Sequence, residues 1–261
     1  MLAQYLYAVC GLVLMILTWP TRWVGYRVLR RWGGVADPTS DQIAVVVRYL
    51  RERRILVVPL MFLAPLTARA MPALIGPAND LGSFHLLGSL LVAWLLAETL
   101  GALLPRRGAV RTASLAPRGW RGLVPVWAMG LHLGLTAVAV AFAVAGLAMS
   151  GAGWYLIMVA GVSSLAVYGI GWLAAIRPAA ADDRVDSALR MRSARVAVGV
   201  GVLVSALLTG AGAGRLASLA RVSHAPAWLD GFAPVSGWVT LALMTVALIG
   251  WSRVIGAPKH G

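Results

Sequence analysis

Long apolar runs broken by short polar blocks set the rhythm of this chain. The runs fall near residues 1–20, 55–70, 84–104, 123–148, 154–176, 196–213 and 232–251. Each approaches the roughly 20 apolar residues that a helix needs to cross a bilayer. The pattern predicts an all-α, polytopic transmembrane bundle of about seven spans, forming one domain over residues 1–261. Two runs have soft limits. The second, ILVVPLMFLAPLTARAMPALIG, contains Pro59, Pro65, Pro72 and Arg69, and the seventh has Pro234 and Gly237 in its first turns.

Between the first two spans the period changes. In DQIAVVVRYLRERRI, Ile43, Val46, Val47 and Leu50 recur at helical spacing, while Arg48, Arg51 and Glu52 lie on other faces. The segment 41–54 is therefore expected to be an amphipathic helix. It would lie on anionic headgroups or dock a partner subunit such as an ATPase, with Arg48, Arg51, Arg53 and Arg54 as its contact surface. Inside the spans a second pattern appears. Ser89, Ala93, Ala97 and Gly101 recur every four residues in span three, and Ala197, Gly201, Ser205 and Thr209 do so in span six. Span four adds Gly130 and Gly134. Helices in lipid associate through close approach of small residues, so these stripes predict spans three, four and six as the core.

Composition agrees with the pattern. Of 261 residues, 60% are hydrophobic and 12% charged, against about 25% charged in a soluble domain. The net charge of +14 would suggest nucleic acid in a soluble protein. Here the basic residues sit in short blocks between apolar runs, and nucleic acid is not an expected partner. Twenty of the 23 Lys and Arg residues fall in residues 21–54, 105–122, 177–195 and the C-terminal tail; only Arg69, Arg215 and Arg221 lie in the alternate connections. Basic residues are retained on the cytoplasmic side, which predicts an outside N-terminus, a cytoplasmic C-terminus and a bacterial inner-membrane location. Trp19, Trp23, Trp120, Trp127, Trp154, Trp172 and Trp251 fall near span ends, as an interfacial belt would. The first run has no basic n-region or cleavage site, and reads as an anchor. Cys10 is the single cysteine, so no intrachain disulfide or thiolate cluster is expected.

Few residues invite chemistry. Glu98 is the one acid inside a predicted span, and a charge there costs roughly 2.5–3.5 kcal/mol on insertion scales. With His132 of span four it forms a candidate proton- or substrate-coupling pair; the plainer reading is a structural hydrogen bond between helices. Asp182, Asp183 and Asp186 spell a DDxxD pattern, and Asp37 and Asp41 form a second acidic pair. Two such clusters resemble the aspartate-rich motifs of membrane prenyltransferases, which would imply magnesium and a diphosphate. The simpler reading makes Asp182 or Asp183 a helix cap and pairs Asp186 with Arg190 one turn on. No metal site or cofactor is proposed. Serine-hydrolase elbows, HExxH, P-loops and dinucleotide fingerprints are missing from the sequence.

VRTASLAPRGWRGLVPVWA at 110–128 and VDSALRMRSARVAVG at 185–199 resemble segments of uncharacterised bacterial multi-pass membrane proteins. That likeness implies a helical membrane fold and no particular activity. The expectation is a non-catalytic accessory or partner-binding component of a transport or envelope system. The alternatives are a small permease coupled through Glu98 and, third, a magnesium-dependent lipid or prenyl-transfer enzyme.

Overall fold

A computed structural model describes residues 13, 16, 19–75, 84–103, 122–151, 153–176, 182–221 and 226–256; for 61–75, 84–87 and 89 it describes the backbone only. Most of the first span, residues 105–121 of the Arg-rich loop, and the side chains of Arg69, His85 and Ser89 lie outside the described residues. All regular structure among the described residues is helical: α1 (Arg22–Val28) running into a π-helical turn (Leu29–Gly33), then α2 (Ser40–Ile75), α3 (Phe84–Leu103), α4 (Val126–Ser150), α5 (Trp154–Ile176), α6 (Asp183–Leu219), α7 (Ala227–Phe232) and α8 (Ser236–Gly256). Four of these, α4, α5, α6 and α8, are long and apolar enough to cross a membrane.

One helix sits at the centre. The most apolar stretch of α6 is 94% buried, whereas those of α4, α5 and α8 are 22%, 28% and 17% buried. A helix that is hydrophobic all round belongs inside, and α6 is surrounded by α3, α4, α5 and α8. The outer helices present Val126, Leu133, Leu165, Leu241 and Leu248 outward, which suits a hydrocarbon environment.

Glycines let α6 approach its neighbours closely. A Cβ on Gly199 would fall 2.5 Å from Trp251 Cδ1 of α8, and one on Gly201 would fall 2.5 Å from Val167 Cγ2 of α5. The eighth helix, whose limits were soft in the sequence, is thus packed tightly against the centre. Trp251 points inward at this contact, so it departs from the expected belt. Exposed Trp127, Trp154 and Trp172 lie on the bundle surface.

The small-residue pattern needs correction in span four. Apart from the adjoining backbone of α4 itself, no described atom lies within 4 Å of a Cβ built on Gly130 or Gly134, and both sit on the exposed side of α4. That helix buries Ala128, His132, Leu135, Ala139 and Ala143 instead. Polar His132 selects the inward face, because lipid cannot hydrogen-bond it. In α3, Ala93 and Ala97 are buried, and Gly101 lies against the Arg53 side chain.

The segment 41–54 also differs from expectation. It is the first part of the 36-residue α2, continuous with the predicted second span. Its apolar residues Val46, Val47 and Leu50 are buried. Val46 and Leu50, with Val28, Leu29 and Trp32, form a separate core against Val185, Ala188 and Leu189 of α6. The amphipathic face therefore meets protein, because α1 and the N-terminal turns of α6 supply the apolar surface that covers it.

Caps define the helix limits. Thr39 and Gln42 form a reciprocal capping box at the start of α2, with Thr39 N–H donating to Gln42 Oε1 (3.0 Å) and Gln42 N–H to Thr39 Oγ1 (3.3 Å). Asp182 caps α6 by accepting from the amides of Arg184 (2.8 Å) and Val185 (3.2 Å). Gln42 Nε2 also donates to Asp182, so the two N-termini are fastened together. Gly151, at φ +65, closes α4 in the left-handed conformation, its N–H donating to the Leu147 carbonyl.

Gly201→Ala is expected to destabilise the bundle by about 1–3 kcal/mol through overpacking. Gly130→Ala and Gly134→Ala should be neutral, or stabilising by up to about 1 kcal/mol through helix propensity. Thermal unfolding of the three variants in one detergent checks the contrast.

Candidate functional site

Arginine governs the end of the bundle where α6 begins. An apolar helix ends with carbonyls that lack intrahelical partners, and two guanidinium groups meet such carbonyls here. Arg190 Nη1 donates to Ala174 (3.0 Å) and Ala175 (2.7 Å) in the last turn of α5. Arg31 Nε donates to Gly256 at the end of α8 (2.9 Å), and Arg195 Nε to Leu123 just before α4 (3.3 Å). These contacts bring the C-terminal ends of α5 and α8 and the approach to α4 to the N-terminal end of α6. Arg31, Arg190 and Arg195 thus share one end of the bundle, while Arg215 Nη2 meets Ser150 Oγ at the other (3.0 Å).

Glu98 lies at the same end. It is 2% exposed and forms an ion pair with Arg53 of α2. Arg192 Nη1 of α6 is 3.8 Å from its other carboxylate oxygen. Arg53 Nη1 also donates to the Glu98 backbone carbonyl (2.9 Å). The Arg53 guanidinium sits 4.9 Å from the ring centre of Tyr49, and the Tyr49 hydroxyl lies 2.6 Å from Ser193 Oγ. Glu98 therefore ties α2, α3 and α6 into one network. This corrects the expected surface role of Arg53, which is buried: Glu98 needs a counter-charge in a low-dielectric setting, and Arg53 supplies it. Arg48 and Arg51 are exposed, and Arg54 is half-buried, with its guanidinium 6.0 Å from the Trp94 ring centre.

His132 occupies a different place. It is fully buried, with Nδ1 3.2 Å from Ser205 Oγ. Thr136 Oγ1 lies 2.8 Å from Ser205 Oγ and donates to the His132 carbonyl (2.8 Å). Thr209 of α6 donates to the Leu135 carbonyl of α4 (3.2 Å). Thus Gly201, Ser205 and Thr209 of the predicted stripe meet α4, two of them through hydrogen bonds as well as close packing. The ring centre of Tyr168 is 6.0 Å from that of His132. Tyr168 also lines an apolar cleft of about 200 Å³ with Val124, Met129, Gly171, Trp172 and Val198. Among the described residues, buried His132 Nε2 and the Tyr168 hydroxyl have no hydrogen-bond partner.

Glu98 and His132 are not brought together. Glu98 meets α6 at Arg192, while His132 meets it at Gly201 and Ser205. Nine to thirteen residues of helix separate these positions, or about 14–20 Å at 1.5 Å per residue.

The DDxxD aspartates have separate tasks. Asp182 caps α6, while buried Asp186 pairs with Arg190 one turn along. Among the described residues, no three His, Cys, Asp or Glu side chains converge as metal ligands. Burial disfavours the Asp182 carboxylate, but hydrogen bonds from Gln42, Val185 and Arg184, with the Arg184 charge, outweigh it and hold the carboxyl below its ordinary value. Sequence reading missed the capping box, although Thr39-x-x-Gln42 carries its signature. It also missed the guanidinium–carbonyl contacts, which have no local signal.

No family model matches the chain, and no curated protein or solved structure shows significant similarity to it.

Glu98→Gln should cost about 3–5 kcal/mol, the range for removing one member of a buried ion pair, measured as loss of unfolding free energy in detergent. Asp182→Ala should cost about 0.5–2 kcal/mol as a lost N-cap. Because the folded carboxyl titrates below its unfolded value of about 3.9, the cap contributes fully above that pH and progressively less as pH falls through the folded value. The stability gap between wild type and Asp182→Ala should therefore stay level from neutrality to about pH 5 and close under stronger acid.

Proposed function

We propose that this chain is a non-catalytic, partner-binding component of a membrane transport or envelope system. It would cross the bacterial inner membrane seven times, with its C-terminus and Arg-rich end in the cytoplasm. The observation that carries this reading is the folded cap formed by α1, the π-helical turn and the first half of α2. Its apolar side is already buried against α6, while Arg22, Arg27, Arg30, Arg48 and Arg51 remain exposed, accompanied by exposed Asp37, Asp41 and Glu52. A basic surface held on a packed core loses little entropy on docking. It suits an acidic face on a cytoplasmic subunit such as an ATPase, with anionic headgroups beneath its rim.

A second reading, a small permease coupled through Glu98 with His132, draws on the unpartnered His132 Nε2 and Tyr168 hydroxyl near the apolar cleft. The separation of Glu98 from His132 weighs against coupling through the two as one unit. A magnesium-dependent transferase gains no support from Asp182 and Asp186, whose carboxylates are engaged in a cap and an ion pair.

Replacing exposed Arg22, Arg48 and Arg51 together by Glu should leave protein levels near wild type and abolish stoichiometric co-purification of an acidic cytoplasmic subunit. Retention of that subunit by the triple variant would refute the docking role. Transport of a defined solute, lost in Glu98→Gln at normal protein levels, would favour the permease.

A further inference from the structure

The network around Glu98 contains more positive than negative charge. Arg53 and Arg192 both approach its carboxylate. Arg54 lies within electrostatic reach of the same carboxylate and of Arg192, which repels it. Three guanidinium groups from two helices thus share one carboxylate among the described residues.

Among the described residues, buried Arg53 Nε and Arg192 Nη1 have no hydrogen-bond partner, Arg192 Nη1 facing the Glu98 carboxylate only at 3.8 Å. Arg53 is nine-tenths buried or more, with its side chain 5% exposed, and that of Arg192 is 16% exposed. Unmade hydrogen bonds from buried cations are costly, and like charges this close repel strongly where water is scarce. Arg54 and Arg192 keep partial exposure, so the cluster can be reached from outside. Small Gly101 lets the Arg53 side chain lie close against α3, since a Cβ there would approach its Nε to 3.0 Å. Guanidinium forks match the several oxygens of a phosphate better than they match a single-atom anion. The cluster also sits just before the long uncharged stretch of α6 starting at Val196, the level at which a headgroup phosphate would lie.

We propose that Arg53, Arg54 and Arg192 form a binding site for a phosphate-class anion, with Glu98 as the internal counter-ion that holds the site when it is empty. The ligand chemistry is that of a phosphate group, carried either by an anionic lipid headgroup or by a soluble phosphate ester. This site is independent of the proposed docking role of the exposed cap.

The test uses the full chain, purified in detergent and stripped of phospholipid. Its melting temperature is followed against inorganic phosphate, with chloride at matched ionic strength, and against phosphatidylglycerol, with phosphatidylcholine as control. A saturable rise with phosphate supports a soluble ligand, and a rise with phosphatidylglycerol alone supports a headgroup; no saturable rise with either overturns the proposal. Arg54→Gln and Arg192→Gln should each raise the half-saturating concentration about tenfold, the worth of one charge-assisted hydrogen bond, while Arg253→Gln, at an exposed position, leaves it unchanged. Equal effects of Arg253→Gln and Arg54→Gln would mean diffuse surface charge and overturn the site. Glu98→Gln should lower the apo melting temperature yet bind the anion about tenfold more tightly, because the competing carboxylate charge is gone. Weaker binding in Glu98→Gln would contradict the counter-ion role. Should Glu98→Gln fail to fold, Arg54→Gln still decides, since the Arg54 guanidinium lies over the Trp94 ring and takes no part in the Arg53–Glu98 ion pair.

Discussion

A carboxylate enclosed among apolar helices demands a cation, and the end of the bundle at which α6 begins is organised around meeting that demand. Glu98 draws Arg53 from α2 and lies beside Arg192 of α6. The cations in turn need acceptors, and helix termini provide them. Arg190 and Arg31 take carbonyls at the ends of α5 and α8. An orphan carbonyl and an unpaired guanidinium are each unfavourable away from water, but joined they satisfy one another and oppose the negative end of a helix dipole. The charge that crowds the start of α6 is therefore structural.

From that fastened end, α6 runs through the middle of the bundle by a different principle. Burying apolar surface yields little when the alternative is lipid, so close approach and polar contacts between helices have to supply cohesion. Gly199 and Gly201 permit the approach to α8 and α5, and Ser205 and Thr209 supply polar contacts to α4. His132 joins this second network in the interior of the bundle. The two networks lie well apart along α6, one ionic at the terminus and one neutral within. This distribution is what a chain should adopt when charge is tolerated only near its polar face.

Periodicity and charge made the helical class legible, because both are local properties of the sequence. The special standing of Glu98 was also legible, since an acid within an apolar run is rare and needs a reason. Its partners were not. Arg53 lies 45 residues away among several similar arginines, and nothing local separates it from exposed Arg48 and Arg51. The Gly130 and Gly134 spacing misled for a related reason: spacing identifies a face but not the neighbour behind it, and His132 turned the helix the other way. The apolar side of 41–54 had its hydrophobicity read correctly, but its cover came from α1 and α6, far along the chain.

The most direct measurement of the central claim is a double-mutant cycle on Glu98 and Arg53, using Glu98→Gln, Arg53→Gln and the pair, with unfolding free energy followed in a single detergent. The account predicts strong coupling: each single change is costly because it strands a buried charge, and the double variant is no less stable than the worse single one. Additive costs would show that the two side chains act independently and that α2 and α3 are held together by something else.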